Sequence, residues 1–217
     1  DASIAIGYGV VDATAATTGQ ISSIAFPDNK EDIYLSWIGA GLGIGVVGGL
    51  TILFNHEQVL LDIFEGWHYY RQYLEKNPLL KGNQINTWNG RWISQRYDRE
   101  YDSDDPLMNF NPLVPMSDGL FNLQTVPWAE VIAGIARNNR TSNMVGYLYS
   151  IGQTNTTVGF IPFKLQDIIR PSQLYAKIFG ESVWMQNRKK VEALYGTAIG
   201  LRAACQAGCI GIPAMEP

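Results

Sequence analysis

The chain has 217 residues, a formal net charge of −4 and a mean hydropathy of −0.05. This length can hold one large or two small domains with an ample core. The acidic balance, with basic residues scattered among acids, argues against nucleic acid as a partner. The hydropathy excludes a protein with many membrane spans but fits one or two spans that carry a large polar body.

The first predicted element is the segment 2–26, whose only charged residue is Asp12. It is long enough to cross a membrane, but its many hydroxyl groups make it only moderately apolar. We expect a candidate first membrane helix here, with a small-residue strand or an extended arm as the alternatives. Because the chain begins at Asp1 without an initiator Met, we also expect a targeting segment to be removed before this residue, although a fragment would begin in the same way.

The strongest signal is the stretch 34–55, which contains no charged residue. An α-helix needs about 20 such residues to cross a hydrocarbon core of roughly 30 Å, so the stretch predicts a transmembrane helix. Its glycines recur at four-residue intervals, a spacing that lets two helix backbones approach closely in lipid. The residues predicted to pack against a second helix are Gly39, Gly41, Gly43, Gly45 and Gly49.

The same stretch has two other interpretations. Residues 43–48 match G-x-G-x-x-G, and Asp62 or Glu65 lies about 20 residues further on, where a dinucleotide-binding fold places its ribose-binding acid. The chain would then be a soluble nucleotide-cofactor enzyme that uses Gly43, Gly45 and Gly48. Against this, the rest of the chain lacks the regular alternation of strands and helices of a doubly wound sheet. The other interpretation is a buried glycine-rich core helix in a soluble protein.

Residues 56–76 follow, with apolar side chains at three- and four-residue steps that predict an amphipathic helix. His56 stands at its start, at the edge of the predicted membrane region. A neutral imidazole in that position could bind a chlorophyll magnesium or a haem iron. The alternative is an interfacial histidine at the end of a membrane helix.

The segment 81–115 is rich in amide and aromatic side chains but shows no regular apolar period. It predicts a long ordered loop that buries its rings against a neighbouring subunit or a membrane interface, because aromatic and arginine side chains dominate interface energetics. The predicted interface residues are Trp88, Arg91, Trp92, Tyr97 and Tyr101. Further on, residues 144–163 predict a small β-hairpin, and 181–209 predict a C-terminal helix.

The sequence offers no set of residues for catalysis. It has only two histidines and two cysteines, and the usual nucleophile, phosphate-binding and zinc-protease motifs are absent. The carboxylates between Asp98 and Asp105 could hold a hard cation, but interleaved arginines favour a solvated charged loop. We therefore predict neither catalytic nor metal-binding residues.

Together these signals predict a mainly α membrane protein. Residues 1–55 would form the membrane segment, with one or two glycine-rich transmembrane helices, and 56–217 would form an irregular, loop-rich extramembrane body. The basic residues after the apolar stretch outnumber Lys30 before it, which places this body on the cytoplasmic, stromal or matrix side.

The predicted function is that of a non-catalytic accessory subunit in a larger membrane assembly of an organelle or a bacterium, with energy-transducing photosynthetic or respiratory complexes as the expected hosts. Its partners would be other membrane subunits and lipid. The alternatives from other functional classes are the nucleotide-cofactor enzyme described above and a self-assembling coat or shell subunit. In the coat or shell subunit, residues 34–55 would form part of a buried core.

Overall fold

The computed structural model of this chain describes residues 30–139, 143–150 and 156–186. In chain order, the helices and strands are α1 (Lys30–Gly41), β1 (Ile44–Val46), β2 (Leu50–Phe54), α2 (Glu57–Lys76), α3 (Ile85–Arg96), β3 (Leu113–Pro115), β4 (Phe121–Leu123), α4 (Trp128–Asn138), β5 (Asn143–Ser150), β6 (Thr156–Lys164) and α5 (Leu165–Phe179). Four of the strands form an antiparallel sheet in the order β1-β2-β5-β6, and β3 pairs with β4 in a separate antiparallel ribbon.

The apolar stretch 34–55 does not form one helix. Helix α1 ends at Gly41, and the rest of the stretch folds into the hairpin of β1 and β2. Gly48 and Gly49 make the turn with φ values of +99° and +73°, which only glycine adopts without a steric cost. Both strands of the hairpin are almost completely buried, so packing against the rest of the chain favours strands over a longer helix.

Among the described residues, no helix is both long enough and apolar enough to cross a membrane. The prediction of a transmembrane helix over 34–55 is therefore wrong. Three predictions that depended on this helix are wrong as well: the mainly α membrane fold, the assignment of the chain to a membrane and the orientation of its C-terminal body. The structure is instead a mixture of helices and antiparallel sheet. The predicted helix over 2–26, and residues 187–209 of the predicted C-terminal helix, lie outside the described residues.

One face of the four-stranded sheet forms part of the core, and its strands alternate accordingly. In β5, Met144 and Leu148 are buried, whereas Val145 between them is exposed. Phe54 of β2 meets Phe163 of β6 across this core face with 5.1 Å between the ring centroids. This alternation is typical of an antiparallel sheet with one buried face.

Helix α3 lies at the centre of the fold because it packs on both α2 and β1. Its Trp88 and Trp92 are completely buried, and each indole N–H donates to a backbone carbonyl of α2, at Gly66 (2.9 Å) and Asp62 (2.7 Å) respectively. Gly66 makes room for the Trp92 ring, which a Cβ at this position would overlap. The segment 81–115 is therefore not an irregular loop, since residues 85–96 of it form this helix.

Candidate protein-interaction surface

Helix α1 leaves its large apolar side chains exposed. Tyr34, Leu35, Trp37 and Ile38 are between 44% and 63% exposed. Leu35 and Trp37 point to nearly opposite sides, because successive residues of an α-helix are about 100° apart. One flat surface could therefore not contact all four side chains, and among the described residues they remain exposed. A helix that is hydrophobic on several sides is normally buried, so α1 is expected to be covered by another protein surface.

The end of α1 is fixed to the body of the protein by two asparagines of α3. The amide nitrogen Nδ2 of Asn89 donates to the carbonyls of Gly41 (2.7 Å) and Gly43 (2.8 Å), and its Oδ1 accepts from the indole of Trp67 (3.1 Å). Asn86 Nδ2 donates to the carbonyls of Ala40 (3.1 Å) and Gly43 (2.9 Å). These bonds satisfy carbonyls at the helix end that have no partner within the helix, and they hold the base of α1 in place.

A row of aromatic rings on the outer face of the sheet begins beside the base of α1. Tyr149 donates to the Ala40 carbonyl at 3.4 Å, and its ring lies 5.4 Å from that of Tyr147. Tyr147 in turn contacts Phe160 of β6 with 5.0 Å between centroids, and Phe160 is 75% exposed. These rings form a row from the base of α1 to β6, in which Tyr149 is buried and Phe160 is exposed.

A second exposed apolar surface lies on α5. Leu174 and Ile178 are 56% and 63% exposed and lie four residues apart, so they share one side of the helix. Arg170 and Lys177, both exposed, lie on the same side. We call these four residues the α5 face.

The glycines predicted to pack against a helix fall into different environments. A Cβ at Gly41 would lie 3.1 Å from the ring of Trp67, and one at Gly45 would lie 3.0 Å from the Asn86 carbonyl carbon. Gly43 is also tightly enclosed, by Tyr149 and Thr51. At Gly39 and Gly49 no atom lies within 4 Å of an added Cβ. The structure thus brings three of the five predicted positions into close packing.

The G-x-G-x-x-G motif lies in the antiparallel hairpin of β1 and β2. Gly48 lies in the turn into β2 and does not begin a helix, so the motif lacks the helix N-terminus that would hold a dinucleotide phosphate. Asp62 is buried and accepts hydrogen bonds from Tyr97 and Gln58. Glu65 lies 3.8 Å from Arg96. Both acids thus contact side chains of α2 and α3 or of the residue after α3.

The residues predicted to form an interface in 81–115 mostly lie inside the chain. Trp88, Trp92 and Tyr97 are buried, and Tyr101 is half-buried beneath Arg96, whose guanidinium carbon lies 4.7 Å from the ring centroid. Arg91 is half-buried near Glu130, and burial lowers the pKa of its guanidinium. This placement gives the segment no exposed aromatic anchor among the five residues, and a docking role there is not supported.

His56 precedes the first residue of α2 and is half-buried. A pigment or haem was expected at this histidine because it would stand at the end of a membrane helix, and residues 34–55 do not form that helix. In the part of the chain that the structure describes, no three His, Cys, Asp or Glu side chains come together as a metal site.

A small cleft of about 120 Å³ lies between α4, α5 and the helical residues 181–186. It is lined by Arg99, Arg137, Gln173 and Glu181 among others, and Arg99 Nη1 is paired with Glu181 Oε1 at 2.8 Å. The volume is below the roughly 300–1,000 Å³ that is usual for small-molecule sites. We therefore place the candidate site at the exposed apolar surfaces instead.

The buried Tyr97 makes the stability of the fold depend on pH. Its hydroxyl donates to Asp62 Oδ2 at 2.5 Å, and burial, together with this carboxylate, raises the pKa of the phenol well above its usual range. Because folding raises the pKa of Tyr97, this side chain contributes its full stabilisation of the fold below its unfolded pKa of about 10. The contribution is lost as the pH rises above that value. We expect Tyr97→Phe to cost about 1–2 kcal/mol at pH 8, and to lose less further stability than the wild type between pH 9 and 11.5.

The measurement for this prediction is the free energy of unfolding in urea across that pH range. Tyr34→Phe, which alters an exposed phenol, serves as the control and should follow the wild-type curve. If wild type and Tyr97→Phe lose the same free energy of unfolding as the pH rises, Tyr97 is not the source of the pH dependence.

The exposed residues of α1 were not singled out from the sequence, although the signal was present. Tyr34, Leu35, Trp37 and Ile38 belong to the apolar stretch that predicted a membrane helix. An apolar helix that is covered by protein and one that is covered by lipid have similar composition.

Comparison of this chain with protein-family models, with curated proteins and with solved structures finds no match.

Proposed function

We propose that this chain is a non-catalytic structural subunit that assembles with further copies of itself, and that α1 is its docking element. The observation that carries the proposal is the exposure of Tyr34, Leu35, Trp37 and Ile38 on a helix whose base is firmly anchored. Exposed apolar surface on a rigid support is the usual character of a protein-interaction site.

The size of the surface supports this function. Tyr34 and Trp37 are each about half exposed and, at roughly 150–250 Å² per aromatic side chain, supply on the order of 200 Å², to which Leu35 and Ile38 add further apolar area. The largest apolar patch of a typical monomer covers about 300–600 Å² and is often functional. Covering α1 would therefore supply a substantial part of a stable interface.

The anchoring of α1 also favours assembly. Binding through a flexible segment loses part of its energy to ordering that segment. Here the carbonyls of Ala40, Gly41 and Gly43 are already fixed by Asn86 and Asn89. The base of α1 is thus ordered before a partner binds, which lowers the entropic cost of association.

Sedimentation velocity over a range of concentrations tests the proposal. We expect the wild-type mass to rise with concentration, and the double variant Leu35→Glu/Trp37→Glu to remain a monomer because it places two charges in the contact. Leu61→Glu is the matched control, since Leu61 is 54% exposed on α2, outside the proposed surface. A wild type that is monomeric throughout, or a double variant that assembles like the wild type, would rule the function out. Unchanged thermal unfolding of the variants will show that they are folded.

A further inference from the structure

We infer that α1 of one copy packs on the α5 face of the next copy, so that the chain assembles head to tail. This inference rests on the proposed function and names the surface that α1 would bind. It follows from two exposed helical faces on one chain, both apolar at the centre, with acids beside the centre of one and mainly bases beside the centre of the other.

The α1 side of the contact combines acidic and apolar residues. Asp32, Leu35 and Ile38 recur at three-residue intervals and therefore lie on neighbouring positions of one side of the helix. Glu31 adds a second acid at the same end. Gly39 lies on this side as well, and the space around its missing side chain is open. A second helix could therefore approach α1 closely beside Leu35.

The α5 face also has an apolar centre, and the charges around it are mainly basic, with one acid, Asp167, three residues before Arg170 on the same side. Leu174 and Ile178 form the centre, and Arg170 and Lys177 flank it. The long stems of these basic residues can lie along apolar surface while their charges reach an acid. The exposed centre and the two stems together form the apolar surface that this face offers.

Charge complementarity makes the α5 face a suitable partner for α1. Antiparallel packing with Leu35 opposite Leu174 brings Asp32 towards Lys177, and parallel packing brings it towards Arg170. Either direction therefore places an acid beside a base. The contact uses only the side of α1 that carries Leu35 and Ile38, so it buries less than the roughly 1,000 Å² of total surface that a stable interface needs. We therefore expect a weak association that depends on concentration.

The contact joins two different surfaces, which determines the form of the assembly. Each copy presents one α1 and one α5 face, so a bound pair leaves one free surface of each kind. Such heterologous contacts continue until they close into a ring or form an open chain. A two-fold dimer of α1 with α1 would instead stop at two copies.

The test mixes two variants that each lack one side of the contact. Leu35→Glu disables α1 and leaves the α5 face intact, whereas Leu174→Glu does the reverse. We expect each variant alone to associate roughly 10- to 100-fold more weakly than the wild type. An equal mixture should form pairs of one copy of each variant and nothing larger, because one intact contact is available per pair. Native mass spectrometry and sedimentation velocity measure the species, with Leu61→Glu as the control that assembles like the wild type.

The outcomes separate this inference from the proposed function. A wild type that assembles while the mixture stays monomeric, or a Leu174→Glu variant that assembles normally, overturns the head-to-tail contact and leaves self-assembly through α1 standing. A wild type that stays monomeric rules out both the head-to-tail contact and the proposed function. Pairs in the mixture, together with larger species in the wild type, support the contact.

Discussion

Replacing Gly90 by alanine is expected to lower the free energy of unfolding by about 3 kcal/mol. Gly90 lies in α3 where the helix meets β1, and a Cβ there would overlap the carbonyl oxygen of Gly45. It would also lie 3.1 Å from Val126 Cγ2. Because the overlapped atom belongs to the backbone of a buried strand, it cannot rotate away as a side chain would. The helix must move away from the strand, and the buried contact loosens.

Urea unfolding of Gly90→Ala measures this cost, with Gly82→Ala as the matched control. No atom lies within 4 Å of an added Cβ at Gly82, so its stability should change by about 0.5 kcal/mol or less. Equal stability of the two variants would show that α3 and β1 are not in the close contact described.

The glycine pattern shows how much of this packing the sequence could predict. Gly41, Gly43 and Gly45 recur at two-residue as well as four-residue intervals. Four residues are about one turn of a helix and also two repeats of a strand, so the spacing predicts a close backbone approach without deciding between the two structures. The close approach is present at Gly45, but on a strand. The pair Gly48-Gly49 between two short apolar runs was the local signal for the hairpin.

The prediction of a loop over the aromatic segment 81–115 was wrong for a different physical reason. Trp88 and Trp92 are four residues apart, as on one side of a helix, but the asparagines and glycine around them are weak helix formers. What holds this helix is its burial against α2, where Gly66 accommodates Trp92 and backbone carbonyls accept both indole N–H groups. These partners lie more than 20 residues away in the chain. No local pattern could reveal them.

The candidate site could be predicted only in part. The apolar character of 34–38 is evident in the sequence, but whether lipid, the core or another protein covers it depends on where the helix ends and which neighbours it meets. The α5 face shows a clearer pattern, since Leu174 and Ile178 lie at helical spacing. Their exposure became evident only when Leu165 and Ile168 were seen to supply the buried side of the same helix.

Asn89→Asp is expected to destabilise the protein by about 4 kcal/mol at pH 7. The side chain is completely buried, and its amide nitrogen donates to the carbonyls of Gly41 and Gly43. A carboxylate has nearly the same shape but cannot donate, so a negative charge would face two carbonyl oxygens in the interior. The loss should also loosen the base of α1 and weaken self-assembly.

The pH dependence of this variant distinguishes a lost donor from a general packing defect. Burial beside two carbonyls should raise the pKa of the introduced carboxyl above its unfolded value of about 3.9. The protonated form can donate one hydrogen bond, so the deficit relative to the wild type should be smallest below that unfolded value and grow as the pH rises through the folded pKa. Asn143→Asp, at an exposed position of β5, is the control and should stay within about 0.5 kcal/mol of the wild type. A deficit that is the same at pH 4 and pH 7 would contradict the role of Asn89 as the donor that anchors α1, because a packing defect has no reason to recover in acid.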